Sequence, residues 1–193
     1  MFYRISFPPM ISVPVTKVMP ELLQLKRKLH VQSKREEDLI VFLMDEFKLL
    51  VDPRYAFKRI KFNDPTVTAL VEGSKDLKNC LGGSKEGFVV IATLHGAVMP
   101  EEPALALYAD RILSDMAENL AAFTGQELLQ KFYDKGAALT RRYSPGYGDL
   151  ALEKQKDVFK LFSDTKLDVR LSEHFYMEPE KSVSYIVGVV EEK

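Results

Sequence analysis

The sequence predicts an α+β domain in which helices flank a sheet, and three observations predict it. Residues 88–94, Phe-Val-Val-Ile-Ala-Thr-Leu, form a continuous apolar run of strand length, the pattern of a central strand covered on both faces. Apolar residues recur at helical spacing in two long stretches, one before Asp52-Pro53 and one after Pro103. Near the C-terminus, Val169, Leu171, Phe175 and Met177, then Val183, Tyr185, Val187 and Val189, predict two strands. Glu178-Pro179-Glu180-Lys181 joins them, most simply as an antiparallel hairpin.

The remaining elements follow in order. Residues 2–6 suit a short edge strand, and Pro8, Pro9, Pro14 and Pro20 keep the path irregular up to a first helix near 21–30. Residues 1–32 therefore read as a partly irregular start to one domain spanning 1–193. Ser33 and Glu36 have capping-box spacing, and Leu39, Ile40, Leu43, Met44, Phe47 and Leu50 trace one face of the helix that follows. Residues 55–62 and 66–72 are β-rich in composition, and 75–81 form a short helix that Gly82-Gly83 ends. Pro103 opens the longest helix, with Leu105, Tyr108, Ile112, Met116, Leu120 and Phe123 on its apolar face; a break or bend is expected near Gly125 before 126–133 continues. Asp149 is placed to cap a further helix over 150–162, whose N-terminal N–H groups would point back towards the preceding loop.

Composition excludes several function classes. With 46% hydrophobic residues, 28% charged and a net charge of -1, the chain has no electrostatic preference for nucleic acid. A mildly basic stretch between Lys26 and Lys61 is a docking candidate for an acidic partner, against the ordinary reading of a solvated surface. No apolar run approaches the roughly 20 residues that span a bilayer, and the N-terminus lacks signal-peptide organisation, so a cytoplasmic protein without a membrane partner is expected. The lone Cys80 reads as a half-buried structural thiol. His30, His95 and His174 are too far apart for a local metal motif, so no bound metal is expected. Phosphate-binding loops, dinucleotide fingerprints and nucleophile elbows are absent, leaving no visible place for a conventional enzyme mechanism.

One loop stands out: Arg142-Tyr143-Ser144-Pro145-Gly146-Tyr147-Gly148-Asp149. Pro145 fixes its own φ and pushes Ser144 out of the helical region, while Gly146 suits the third position of a type II turn. With no Cβ at Gly146 a ligand can approach the main chain, and Arg142 offers a charge-assisted fork to a carboxylate. Those properties describe a small-molecule clamp rather than a catalytic centre.

This loop resembles the Arg-x-x-x-Gly-Tyr loop of the activation (reactivation) domain of cobalamin-dependent methionine synthase, especially its short free-standing versions. Leu171-Ser172-Glu173-His174-Phe175-Tyr176-Met177 and Lys181-Ser182-Val183-Ser184 follow in the family's order. Upstream, residues 88–96 resemble its apolar strand, with His95 inserted before Gly96, and Ala109-Asp110-Arg111-Ile112 resembles its long helix. The resemblance implies a C-shaped α+β fold on a twisted, mainly antiparallel sheet that binds S-adenosylmethionine in its concave face. It implies a subunit supporting reductive methylation of cob(II)alamin, with the cobalamin carried by the cobalamin-binding portion of a separate methionine synthase and flavodoxin or ferredoxin as electron donor. Carried over by position, Arg142 would pair with the methionyl carboxylate, Ser144, Pro145 and Gly146 would hold the adenine and ammonium ends through their backbone, and Tyr147 would face the sulfonium or the corrin. Two features depart from the family. Gly136 stands where fused synthases place an acidic residue six positions before the loop arginine, and the tyrosine-bearing insertion between Tyr185 and Val189 is missing. Two alternatives stay open: a corrinoid-protein docking adaptor of the same fold that has lost the ligand, and a reactivator of another corrinoid methyltransferase.

Overall fold

A computed structural model describes residues 9–133 and 136–191. In chain order the elements are β1 (Ile11–Ser12), α1 (Leu22–Lys28), α2 (Lys34–Leu50), β2 (Asp52–Lys61), α3 (Pro65–Val71), α4 (Lys75–Leu81), β3 (Glu86–His95) and α5 (Pro103–Phe132). Then come β4 (Ala137–Leu139), α6 (Gln155–Lys160), β5 (Arg170–Leu171), β6 (Met177–Glu178) and β7 (Ser182–Glu191). The strand proposed at residues 2–6 lies outside the described residues.

β3 is the centre of a five-stranded antiparallel sheet with the order β1-β2-β3-β7-β4. Strand alternation sends Phe88, Val90, Ala92 and Leu94 into one core with residues of α1, α2 and α5. Val89 and Ile91 enter a second core with residues of α3, α4 and α6. Helices therefore cover both faces, which is why this strand reads as an unbroken apolar run. The sheet curls into a half-barrel.

Local signals account for most helix starts. Ser33 accepts the Glu36 N–H at 3.2 Å while the Glu36 carboxylate accepts the Ser33 N–H at 2.8 Å, the reciprocal capping box expected for α2. Residues 66–72, expected as strand, form α3 instead. The Asp64 carboxylate accepts the Thr66 N–H at 2.9 Å, Pro65 occupies the first turn, and Val67, Leu70 and Val71 fall on the buried side. A cap, a first-turn proline and helical periodicity together outweigh the β preference of Thr66, Val67 and Thr68.

Two further expectations are corrected. α5 runs unbroken for 30 residues through Gly125, which is buried in its interior; one glycine costs a helix about 1 kcal/mol and breaks nothing when packing holds both sides. The C-terminal runs do not form one hairpin. β5 and β6 pair only with each other, Arg170 opposite Glu178 and Leu171 opposite Met177, whereas β7 inserts between β3 and β4. Insertion buries both faces of β7, with Tyr185, Val187 and Val189 in one core and Ile186 in the other, which a hairpin with so short a partner could not do.

Most of the basic stretch is neutralised at home. Lys26 pairs with Glu37, Lys28 with Asp115, Lys34 with Glu37 and Asp38, Arg54 with Asp52 and Asp168, and Arg59 with Glu86. Asp110 and Arg111 likewise pair elsewhere, with Lys181 and Asp115 respectively.

Candidate functional site

The site is a cleft of about 1040 Å³ between α5, the loop that follows β4, the β5–β6 hairpin and β7. Its size suits a nucleoside-sized ligand. From α5 come Glu118 and the small side chains Ala121, Ala122 and Gly125, which hold that wall back. Ser182, Val183, Ser184 and Tyr185 of β7 and the hairpin residues Phe175, Tyr176 and Met177 supply further walls.

The loop is built as its sequence dictates. The Tyr147 N–H donates to the Ser144 carbonyl at 3.1 Å, Pro145 stands at the second turn position, and Gly146 has φ +94°, giving the type II turn. Tyr143 fixes the loop to the sheet by exchanging both backbone hydrogen bonds with Ile186, at 2.9 and 2.8 Å. Arg142, Ser144, Pro145 and Tyr147 line the cleft, the last 64% exposed at its rim. Gly146 is set behind them. Its N–H donates to the Leu150 carbonyl at 2.7 Å, and a Cβ there would lie 3.3 Å from Leu152 Cδ1.

Asp149 does not cap its own helix. A 3-10 turn over Leu152–Lys154 precedes α6, which is only six residues long, and the Asp149 carboxylate turns instead to the N-terminus of α4. It accepts from the Ser74 hydroxyl and from the Lys75 N–H at 2.7 Å. The orphan N–H groups of α4 lie beside the loop, and a carboxylate satisfies whichever helix start is within reach. The Ser74 hydroxyl bond, opposed by partial desolvation and aided by the Lys75 N–H, holds the Asp149 carboxyl below its ordinary range.

Arg142 lines the cleft beside Arg141 and two carboxylates, Glu118 and Glu180. Its Nη2 donates to Glu118 Oε2 at 3.0 Å, and its guanidinium carbon lies 5.6 Å from the centroid of the Tyr185 ring. Tyr185 is buried, its hydroxyl 2.9 Å from Thr124 Oγ1 and donating to the Ala121 carbonyl at 3.1 Å. Burial is the main reason that its pKa is pushed up to about 12. Also in the cleft lining, the Ser184 hydroxyl donates to Gln155 Oε1 at 2.7 Å, which pairs two buried polar side chains. On the opposite wall Phe175 holds φ +66°, and Lys156 Nζ sits 4.4 Å from its ring centroid.

The other residues singled out in the sequence lie apart from the cleft. His95 is an exposed strand end. Cys80 is half-buried, donates to the Arg141 carbonyl at 3.1 Å, and has its pKa raised by burial. Among the described residues no group of His, Cys, Asp and Glu is arranged to hold a metal, and no helix is long and apolar enough to cross a membrane.

No protein-family model matches the chain, and no curated protein matches it. Among solved structures, the crystal structure of the MetH reactivation domain bound to AdoHcy matches over 97% of this chain and 82% of that one, with a TM-score of 0.53 and 12% sequence identity. This chain has the fold of the MetH reactivation domain.

On that fold, three contributors to the cleft escape sequence reasoning. Glu118 looks like any surface carboxylate of a long helix. Phe175 reads as strand but stands with Tyr176 at a hairpin tip, where the Phe175 N–H donates to the Ser172 carbonyl at 3.1 Å, while Met177 is in β6 as expected. Gln155, buried against Ser184, sits in a polar run with no visible reason to be inside. One signal was available for α5: Ala121, Ala122 and Gly125 are small residues at helical spacing, a mark of close approach or an open wall.

Proposed function

We propose that this chain is an S-adenosylmethionine-binding activation subunit that supports reductive methylation of cob(II)alamin held by a separate cobalamin-dependent methionine synthase. The observation that carries the reading is Arg142, oriented by the Tyr143–Ile186 bridge and placed over Tyr185 at a nucleoside-sized cleft. The AdoHcy in the neighbour of the same fold supports it.

The residues present fit that ligand. Its methionyl carboxylate matches the Arg142 guanidinium, whose Glu118 partner is 63% exposed and readily exchanged. Its flat base matches the aromatic faces of Phe175 and Tyr176, and its sulfonium matches the face of Tyr147. When bound, S-adenosylmethionine supplies an electrophilic methyl group. The protein's own contribution is positioning: the rigid turn at Pro145-Gly146 fixes the loop, and the small residues of α5 leave the cleft open towards a partner. The partner is the cobalamin-binding portion of the synthase, with flavodoxin or ferredoxin as the electron donor.

Calorimetric titration with S-adenosylmethionine, alone and with a cobalamin-domain protein, tests the reading; no heat of binding in either condition sinks it. One observation favours a second reading, a corrinoid-docking adaptor without ligand. Arg142 already has a carboxylate partner in Glu118, and the Gly146 and Tyr147 N–H groups are spent inside the turn. Under that reading Arg142→Ala binds a corrinoid partner as well as the native protein does; under the first it does not reactivate it.

A further inference from the structure

The ligand loop and the residue before it touch both ends of α4, although the two segments are about 70 residues apart in the chain. At the helix N-terminus the Asp149 carboxylate accepts from the Ser74 hydroxyl and the Lys75 N–H at 2.7 Å, with the Asp76 N–H at 3.3 Å from Oδ1. One residue further on, Asp76 Oδ2 accepts from the Asp149 N–H at 3.4 Å and lies 3.4 Å from the Tyr143 hydroxyl, whose single proton is shared with the Tyr147 carbonyl at 3.2 Å. At the other end of the helix the Cys80 thiol donates to the carbonyl of Arg141, the residue before the cleft arginine.

α4 is itself anchored in the core. Ser74 is fully buried and caps the helix by accepting the Leu77 N–H at 2.9 Å, while Leu77 and Leu81 are buried in the core beneath the sheet. The loop is shaped to meet it. Gly148 has φ +50°, and a Cβ there would fall 2.2 Å from the Tyr143 hydroxyl and 2.4 Å from Asp76 Oδ2. Only glycine lets the loop lie this close.

We propose that α4 is a splint that sets the position of the ligand loop, with Asp149 as its latch. The cap on α4 is thus shared. Ser74 satisfies one N–H from within the helix, and Asp149 satisfies another from the loop, so the loop cannot leave without exposing a helix start. Asp149 does not line the cleft; it acts through the placement of Tyr143 and Arg142, and the Cys80 contact holds the same segment at Arg141. A loop held at both ends binds without the entropic cost of ordering, which is the route by which a remote carboxylate raises affinity.

The proposal deepens the reading of the cleft as an S-adenosylmethionine site, and its test separates the two. Hydrogen exchange over residues 141–150 is measured on ligand-free protein, and S-adenosylhomocysteine affinity is measured by calorimetry. The variants are Asp149→Ala, Asp149→Asn and Ser74→Ala, with Asp64→Ala as control because the Asp64 carboxylate accepts the Thr66 N–H at the start of the neighbouring helix α3 and does not line the cleft. Loss of the latch is expected to speed loop exchange and weaken binding about tenfold in Asp149→Ala. Asparagine, which keeps one acceptor oxygen, restores most of the affinity, and the Ser74 and Asp149 effects are less than additive in the double variant. Asp64→Ala, which costs a comparable cap, leaves loop exchange and affinity at native values. Unchanged loop exchange in both Asp149→Ala and Ser74→Ala overturns the splint. If native protein binds no S-adenosylhomocysteine, the ligand reading falls, while the exchange measurements still decide the role of α4.

Discussion

Arg142 and Glu118 face each other across the cleft, Nη2 donating to Oε2 at 3.0 Å, and under the proposed function this pair holds the place that a ligand carboxylate would take. Both partners keep contact with water, with side-chain exposures of 33% and 63%, so the pair holds itself by no more than about 1 kcal/mol. Replacing Arg142 by alanine should therefore leave thermal stability nearly unchanged. Affinity for S-adenosylmethionine should fall about 10- to 100-fold, the worth of a hydrogen bond to a charged group. Calorimetry beside a thermal melt checks both halves.

Glu118 competes with such a ligand for Arg142. Glu118→Gln removes the competing charge and should tighten binding about two- to fivefold, with the gain shrinking as salt is added. Weaker binding in Glu118→Gln would show that the carboxylate helps to hold the ligand.

Tyr185 links the cleft to the core. Its pKa stands at about 12 against an ordinary value of 10.0, raised chiefly by burial. The unfolded chain thus loses this proton first as pH rises, so the stability it contributes is complete below pH 10.0 and is lost as pH climbs towards about 12. Urea unfolding at successive alkaline pH values should show that loss, and Tyr185→Phe should reduce it, leaving the share of Tyr55 and the other tyrosines whose pKa values burial also raises. At neutral pH the same variant should cost about 1 kcal/mol, because the hydroxyl is bonded to Thr124 and the Ala121 carbonyl.

Ile91 is fully buried in the core beneath the sheet. Ile91→Ala should lower the unfolding free energy by about 2–5 kcal/mol, measured by the urea midpoint, with the variation set by how far the neighbouring helices close over the cavity.

Where interactions are short in sequence, the chain declares them. The Ser33–Glu36 capping box, the type II turn at Pro145-Gly146 and the two-faced strand around Ile91 each follow from residues within a few positions of one another. α3 is obscured for a local reason too: the β-rich composition of 66–72 masks the stronger start signal of Asp64-Pro65. Contacts between distant segments were not legible. Asp149 looked like the cap of the helix that follows it, but a carboxylate caps the helix start that folding brings nearest, and that start is Ser74-Lys75. The run 169–177 looked like the partner of β7, yet β7 gains more burial between β3 and β4. By itself the sequence determined the loop, its arginine and the elements that flank them, because backbone geometry and local hydrogen bonds suffice for those. Only the tertiary structure decided that Glu118, Tyr185 and the hairpin tip at Phe175 enclose the same cleft and that α4 holds the loop, because those contacts depend on which surfaces the chain buries together.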